Sequence, residues 1–350
     1  MKKLLTLVMV FAFAAGLYAQ ISLSGSAQVR PRLDLKSQGK FEKSDMYYMY
    51  RMRLNISANI GDGWYAKARL AHWNYAEYAF TNGLEMDWPD KNINRRPYVS
   101  FTQLVIGVNK DNWGAKGGIL PQNGLKNPML DIHYFPTKMV DIPWTINGVA
   151  ARFGLGGWIK AGPGKLNINA TKDANNFTEK DATGATVADA HDTYTFGFDY
   201  ALKLAGFSVQ PAFYYTWADK NLAAPMTYGV NISTPKFGPI SFGATAAMTT
   251  QGVDAAGKYD GMLVRVKANG KLGPGGFTVW YDYATRTDKG AADVDTKYGY
   301  LWVMYKYTAY KGDHGSVLIA PRWRMLTKTV GSGDTFTRHK IECLFVLKFK

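Results

Sequence analysis

The most regular feature of the sequence is an alternation of apolar and polar residues, in segments of about ten residues that recur along the chain. From residue 21 to residue 36 the odd positions are mainly apolar and the even positions mainly polar or charged, and residues 338–349 follow the same pattern. Because only an extended strand places alternate residues on opposite faces, the pattern predicts a chain built of β-strands.

The connections between these segments alternate between short and long. Seven short ones are rich in the turn residues Gly, Asn, Asp and Pro: 61–63, 110–112, 161–164, 204–206, 236–239, 270–275 and 310–314. Eight longer polar ones lie between them: 37–44, 74–96, 121–145, 173–192, 218–225, 250–258, 287–296 and 328–334. Together they divide the chain into sixteen strands. An even number of strands, with short turns at one rim and long loops at the other, predicts an all-β, closed, antiparallel transmembrane barrel.

A soluble β-sandwich is the alternative interpretation, and it would turn its apolar face toward a closed core. Here aromatic residues crowd the apolar face: Tyr48, Tyr50, Phe196, Phe198, Tyr200, Phe207, Phe213, Tyr215, Tyr281, Tyr283, Tyr298, Tyr300 and Trp302. Because Tyr and Trp favour the two interfaces between membrane and water, this distribution favours a membrane barrel over a sandwich.

The N-terminus has the pattern of a secretory signal peptide. Lys2 and Lys3 precede an apolar run over residues 4–17, and Ala19 offers a small residue at which cleavage can occur. A transmembrane anchor is the alternative, but the run is shorter than the roughly 20 residues that a helix needs to cross a bilayer. We therefore predict a signal peptide over residues 1–19 and one barrel domain over residues 20–350.

The composition and charge narrow the class of partner. The formal net charge is +15, of which Lys2 and Lys3 contribute two, and Cys343 is the single cysteine, so the fold cannot use internal disulfides. In a cytosolic protein such a charge suggests nucleic acid. An exported protein meets outer-membrane lipid, lipopolysaccharide phosphates and small anionic solutes, and these are the partners that we predict.

Basic residues recur two positions apart, so that both members of each pair share one face of a strand. The predicted set is Arg30, Arg32, Arg51, Arg53, Lys67, Arg69, Arg322, Arg324, Arg338 and Lys340. A lipid-facing Arg or Lys costs about 2–4 kcal/mol at the bilayer midplane. Ten of them would exceed the usual net stability of a domain, about 5–15 kcal/mol. We therefore expect all ten to face the lumen.

Closure of the barrel turns these pairs into a candidate site. The last two strands become neighbours of the first three, so the pairs form a continuous basic ladder along the pore wall. Arg suits this role because it stays charged and its planar fork holds phosphate, sulfate or carboxylate through two bonds. The alternative is that the charges only keep the channel hydrated.

The third long loop, residues 121–145, is the other candidate element. It carries Asp131 and Asp141 among apolar and aromatic residues, a composition that favours packing against another surface. Folded into the lumen, it would constrict the pore and set its carboxylates opposite the basic ladder. The alternative is a loop that packs over the outer mouth.

No catalytic or metal site can be nominated. The histidines, His72, His133, His191, His314 and His339, have no metal-ligand spacing. Gly273-Pro274-Gly275-Gly276 is a turn, because no Lys-Ser or Lys-Thr follows it as in a phosphate-binding loop. We expect no enzyme activity, no cofactor and no nucleic-acid partner.

The chain resembles the sixteen-stranded bacterial outer-membrane porins. The likeness covers the predicted barrel and is carried by Pro97–Phe101 followed by Leu104–Gly107, by the long third loop, and by an aromatic residue near the end of the last strand. Members of that family typically end on Phe, whereas this chain ends Phe349-Lys350. Arg51-x-Arg53 and the Gly-Asp-Gly-Trp turn at residues 61–64 are also similar to segments of alginate exporters and phosphate-selective porins.

The resemblance implies passive diffusion, often through a homotrimer, in the outer membrane of a Gram-negative-type bacterium. The favoured hypothesis is a water-filled porin for small hydrophilic solutes, preferentially anions. The alternative is a non-conducting barrel that acts as an adhesin or surface enzyme. Electrical recording separates the two, because only the first conducts.

Overall fold

The computed structural model describes residues 20–72, 78–80, 99–121, 151–175, 179–180, 186–187, 192–218, 223–255 and 257–350. The predicted signal peptide, residues 1–19, lies outside this set. Within the described ranges, no helix is long and apolar enough to cross a membrane.

Strands account for most of the described chain. They are β1 (Gln20–Gln38), β2 (Phe41–Gly61), β3 (Trp64–His72), β4 (Tyr78–Phe80), β5 (Val99–Asn109), β6 (Trp113–Pro121), β7 (Ala151–Ala161), β8 (Gly164–Asn175), β9 (Glu179–Lys180), β10 (Thr186–Val187), β11 (Asp192–Leu204), β12 (Phe207–Ala218), β13 (Met226–Ser233), β14 (Ile240–Gln251), β15 (Tyr259–Leu272), β16 (Gly275–Asp288), β17 (Val294–Gly312), β18 (Gly315–Val330) and β19 (Phe336–Phe349).

Sixteen of these strands form one closed antiparallel barrel. Each pairs with its neighbours along the chain, β3 with β5 and β8 with β11, and β1 pairs with β19 to close the wall. The short strand β4 adds to β2, and β9 and β10 form a separate two-stranded sheet. The predicted fold, an all-β closed barrel of sixteen strands, is confirmed.

Burial alternates along the strands, as the sequence pattern predicts. On β12, Phe213 and Tyr215 are exposed while Tyr214 and Thr216 are buried. The exposed face is the outer one, because closure encloses the inner one. The outer face is strongly apolar, with Leu155 on β7 exposed to 70%. An apolar outer band around a polar interior is typical of outer-membrane barrels.

Several strands are longer than a membrane crossing requires. β1 and β2 have 19 and 21 residues, whereas about 9–11 residues suffice to span the bilayer. The loop predicted at residues 37–44 is instead a tight turn at Gly39 and Lys40, in which Gly39 adopts a φ of 55°. Cross-strand pairing continues to Gln38 and Phe41, so the hairpin extends beyond the membrane.

The prediction that Tyr298, Tyr300 and Trp302 face outward is wrong. They are 4%, 0% and 7% exposed, and Trp302 pairs across the sheet with Arg324, which faces inward. The alternation does not assign the faces of β17 correctly, because both of its faces carry apolar or aromatic residues. The inward aromatic side chains pack against guanidinium groups of β18. Guanidinium groups are attracted to the faces of aromatic rings, so aromatic side chains are stable there as well as against lipid.

The seam of the barrel joins the two ends of the domain. Gly25 on β1 lies opposite Phe349 on β19. A Cβ atom at Gly25 would come within 2.3 Å of Cζ of Phe349 and 2.5 Å of the carbonyl oxygen of Arg53. Because Phe349 and the Arg53 carbonyl approach so closely, only glycine fits at residue 25. The Phe349 ring occupies the space that a side chain there would fill.

Candidate functional site

Four arginines converge on one glutamate in the inner wall. Glu342, on β19, accepts hydrogen bonds from Nε of Arg32 and Nε of Arg322. Nη2 of Arg324 lies 2.7 Å from Glu342 Oε1, and Nη1 of Arg30 lies 3.4 Å from the same oxygen. All five side chains are buried, and that of Glu342 has no exposed surface.

The register of the strands explains this convergence. Arg32 on β1 and Arg322 on β18 lie directly opposite Glu342 on its two neighbouring strands. Arg30 and Arg324 lie two residues away on the same faces, within the reach of a long side chain. Four guanidinium groups and one carboxylate give this cluster a net charge of three positive units, fixed by charge-assisted hydrogen bonds.

A second ion-paired group lies beside the first, nearer the long-loop rim. Arg338 holds Asp34 through two bonds: its Nε donates to Oδ1 at 2.7 Å, and its Nη2 donates to Oδ2. Lys340 lies directly opposite Asp34 in the sheet, and Nζ of Lys36 is 3.9 Å from Asp34 Oδ2. Asp34 and Glu342 thus interrupt the positive charge that the sequence predicts as continuous.

The remaining predicted basic residues continue the pattern onto β2 and β3. Nη2 of Arg51 donates to Gln28 Oε1 at 3.1 Å, and Nε of Arg69 donates to Asn55 Oδ1 at 2.8 Å. These acceptors are neutral, so the bonds fix the guanidinium groups without cancelling their charge. By exposure, the predicted set divides into buried (Arg30, Arg32, Arg322, Arg324, Lys340), partly buried (Arg51, Arg53, Arg69, Arg338) and exposed (Lys67).

An aromatic wall adjoins the arginine cluster on β16 and β17. The guanidinium carbons of Arg322 and Arg324 lie 4.8 Å and 5.2 Å from the ring centroid of Trp302. Trp280 stacks on Trp302, with ring centroids 4.4 Å apart and planes inclined by 14°. These contacts hold the guanidinium groups by cation–π attraction as well as by hydrogen bonds.

The inner wall contains a further ion pair that the sequence analysis missed. Nε of Arg265 on β15 donates to Asp282 Oδ1 on β16 at 2.6 Å, and Nη2 donates to Oδ2 at 3.3 Å. The side chain of Asp282 has no exposed surface. Its position between the outward residues Tyr281 and Tyr283 is the sequence signal that assigns it to the inner face.

The wall on the far side of the barrel includes hydrogen-bonded amides and hydroxyls. Asp199 on β11, eight strands from β19, accepts hydrogen bonds from Nδ2 of Asn167 at 2.7 Å and Nε2 of Gln210 at 2.6 Å. The hydroxyls of Thr195 and Thr216 are 2.8 Å apart nearby. The charges of Lys116 and Lys165 also act on Asp199, so this side of the barrel carries basic residues as well.

The two carboxylates of the predicted constriction are not placed by the structure. Asp131 and Asp141, with most of the 121–145 loop, lie outside the described residues, so their role in a constriction stays a prediction. Among the residues that are described, no group of three or more His, Cys, Asp and Glu side chains is arranged to hold a metal ion.

A closed sixteen-stranded barrel with an apolar outer face and charged side chains within defines the class: a porin-type outer-membrane β-barrel. No protein-family model matches the sequence, and no curated protein is similar to it. Solved structures do match. The anion-selective porin from Comamonas acidovorans aligns with a TM-score of 0.59 at 12% identity, over 94% of this chain and 99% of that one.

Two further structures are similar. OmpF of Salmonella typhi, solved with daunomycin, aligns with a TM-score of 0.55 at 12% identity, over 93% of this chain and 98% of that one. A loop-deletion mutant of OmpT, an outer-membrane protein of Vibrio cholerae, gives a TM-score of 0.54 at 12% identity, over 94% and 99%. At such identity the likeness shows the fold. The predicted outer-membrane location is confirmed at that level, and the likeness to alginate and phosphate channels stays a prediction.

Proposed function

We propose that this protein is a water-filled outer-membrane channel through which small hydrophilic solutes diffuse, with a preference for anions. One observation carries the proposal: four arginines surround a single glutamate on the inner wall, with further basic residues on the adjoining strands. The barrel provides the passage, and this excess of positive charge provides the sign of the selectivity.

The geometry supports selectivity because it fixes the charges in place. A guanidinium group that hydrogen-bonds a buried carboxylate and lies against an indole cannot turn away from the pore. Its charge also persists over the whole physiological pH range. A field that favours a monovalent anion by about 1.4 kcal/mol raises its concentration about tenfold, and disfavours a cation correspondingly.

Asp131 and Asp141 belong to the same proposal. With carboxylates of the third loop opposite the basic ladder, the field would cross the pore and orient dipolar solutes. Replacement of both residues by Asn is expected to increase the preference for anions and to change the single-channel conductance. An unchanged reversal potential and conductance would remove the loop from the selectivity mechanism.

Planar-bilayer recording of the purified protein tests the main proposal. We expect stepwise conductance with an anion-selective reversal potential in a salt gradient. The double variant Arg51→Glu with Arg53→Glu should move the reversal potential toward cation selectivity. The matched control is Lys203→Glu with Lys271→Glu, two exposed lysines beside short turns. An electrically silent wild-type protein would overturn the channel, and an adhesin or a surface enzyme would then be the better hypothesis.

We also propose that the barrel assembles as a homotrimer. Support comes from one similar solved structure, OmpT of Vibrio cholerae in a trimer form, which aligns with a TM-score of 0.51 at 10% identity. Native mass spectrometry in detergent should give three times the monomer mass. A monomer at all protein concentrations would contradict this.

A further inference from the structure

A basic cavity lies in the barrel wall between the arginine cluster and the short-turn rim. Its volume is about 420 Å³. The residues that line it are Ser24, Gly25, Ser26, Arg53, Asn55, Arg69, Lys311, Gly312, Gly315, Ser316, Lys348, Phe349 and Lys350. Several of them carry a positive charge, and none of these described residues is acidic.

The register shows how the cations are arranged. Lys311 on β17 lies opposite Ser316 on β18, which lies opposite Lys348 on β19. Lys348 lies opposite Ser26 on β1, which lies opposite Arg53 on β2. Lysine or arginine thus alternates with serine along one row that crosses five adjacent strands.

This alternation explains the cavity. Neighbouring strands are about 4.8 Å apart, so the Cα atoms of successive basic residues in the row are about 9–10 Å apart. The serines between them are too short to fill that space. Six residues farther along the same strands, toward the long-loop rim, the acidic Glu342 lies between Arg32 and Arg322 and ties them together. The lower row has Lys348 at the β19 position of Glu342, and serines at the β1 and β18 positions of Arg32 and Arg322.

The polar and charged residues of the lining face the barrel interior and not the lipid. Ser26 and Lys348 have the same strand parity as the buried residues Arg30, Arg32 and Glu342. In a second row, Ser24 on β1 lies opposite Asn55 on β2, which lies opposite Arg69 on β3. This row adds hydroxyl and amide groups to the same face. The cavity is therefore reached from the water inside the barrel.

We propose that this cavity binds a small organic solute that carries two or more carboxylate or phosphate groups. Its volume lies within the range of ligand pockets, about 300–1,000 Å³, and far exceeds what a halide ion needs. Basic residues whose Cα atoms are about 9–10 Å apart suit a ligand with separated anionic groups, and the serine hydroxyls and the Asn55 amide can hydrogen-bond its remaining oxygens.

The proposal deepens the proposed function, since a solute in this cavity lies on the route through the barrel. Occupancy should therefore slow the passage of small anions. A singly charged solute of similar chemistry should bind much more weakly, because it can satisfy only one of the separated cations.

Citrate is the probe, with acetate as the singly charged comparison. Isothermal titration of the detergent-solubilised protein should show saturable citrate binding, with acetate at least tenfold weaker. Lys311→Gln with Lys348→Gln should weaken citrate binding at least tenfold. The control Lys203→Gln with Lys271→Gln should leave it unchanged, because these exposed lysines do not line the cavity. Lys348→Arg keeps the positive charge at this position and should therefore retain binding.

The two proposals fail separately. Citrate that binds no more tightly than acetate, or that binds the Lys311 and Lys348 variant as well as the wild type, would overturn the cavity site, whatever the bilayer recordings show. A protein that binds citrate through these residues but conducts no current would keep the site and overturn the channel. When both hold, citrate should reduce the chloride current saturably, with a half-effect concentration close to the dissociation constant.

Discussion

Arg324 donates a hydrogen bond from Nη2 to Oε1 of Glu342 at 2.7 Å, and neither side chain has any exposed surface. An ion pair this deep inside a wall is stabilising only while both partners are present. Glu342 serves four arginines in this way, so the local fold depends on one carboxylate much more than on any one of its cationic partners.

Glu342→Gln is therefore expected to destabilise the barrel. The variant removes the carboxylate that Arg30, Arg32, Arg322 and Arg324 share, and breaking a buried pair in this way costs about 3–5 kcal/mol. Urea unfolding in lipid vesicles, followed by tryptophan fluorescence, measures the free energy of unfolding. Glu42→Gln is the control, because Glu42 is exposed on β2. Equal stability of the two variants would mean that the cluster does not support the wall.

The sequence predicts the barrel better than it predicts this cluster. Parity alone assigns Arg30 and Glu342 to the inner face, and the number of strands follows from the connections. The two residues are 312 positions apart, however, and their contact depends on the register between the first and last strands. That register is set by the shear of the closed barrel, which local patterning does not encode.

The same limitation explains the aromatic wall. Alternation assigns a face only when one face is apolar and the other polar, and β17 has apolar or aromatic residues on both. The pattern therefore predicts that Tyr300 and Trp302 face outward with the interfacial aromatics. Their inward position depends on contacts with the guanidinium groups of β18. These contacts can be identified only when the pairing of β17 with β18 is known.

The Arg265 and Asp282 pair should behave as one energetic unit. Arg265→Met alone or Asp282→Leu alone leaves a buried charge without its partner, so each single variant should lose about 3 kcal/mol of unfolding free energy. The double variant removes both charges and should lose less than the sum by more than about 1 kcal/mol. Urea unfolding of the four proteins gives the coupling directly. Strict additivity would show that the two residues are independent.

Gly25→Val should impair closure of the barrel. The added side chain would meet Phe349 and the carbonyl oxygen of Arg53, which are held by pairing on both sides of the seam. We expect a smaller fraction of heat-resistant folded protein, measured by electrophoresis without boiling. Gly252→Ala is the control, because a Cβ there meets nothing within 4 Å. Normal folding of Gly25→Val would mean that the seam tolerates strand separation.

Leu155→Arg tests which side of the wall faces hydrocarbon. Leu155 lies near the middle of β7 and is 70% exposed, so on a soluble protein an arginine there would have almost no effect on stability. Facing the bilayer midplane, the same change should cost about 2–4 kcal/mol, and Asp313→Arg, in an exposed turn at the short-turn rim, about 0–1 kcal/mol. Unfolding in lipid vesicles compares the two variants. A difference below about 1 kcal/mol would contradict the membrane orientation, and with it the assignment of the arginine cluster to the inner face of the barrel.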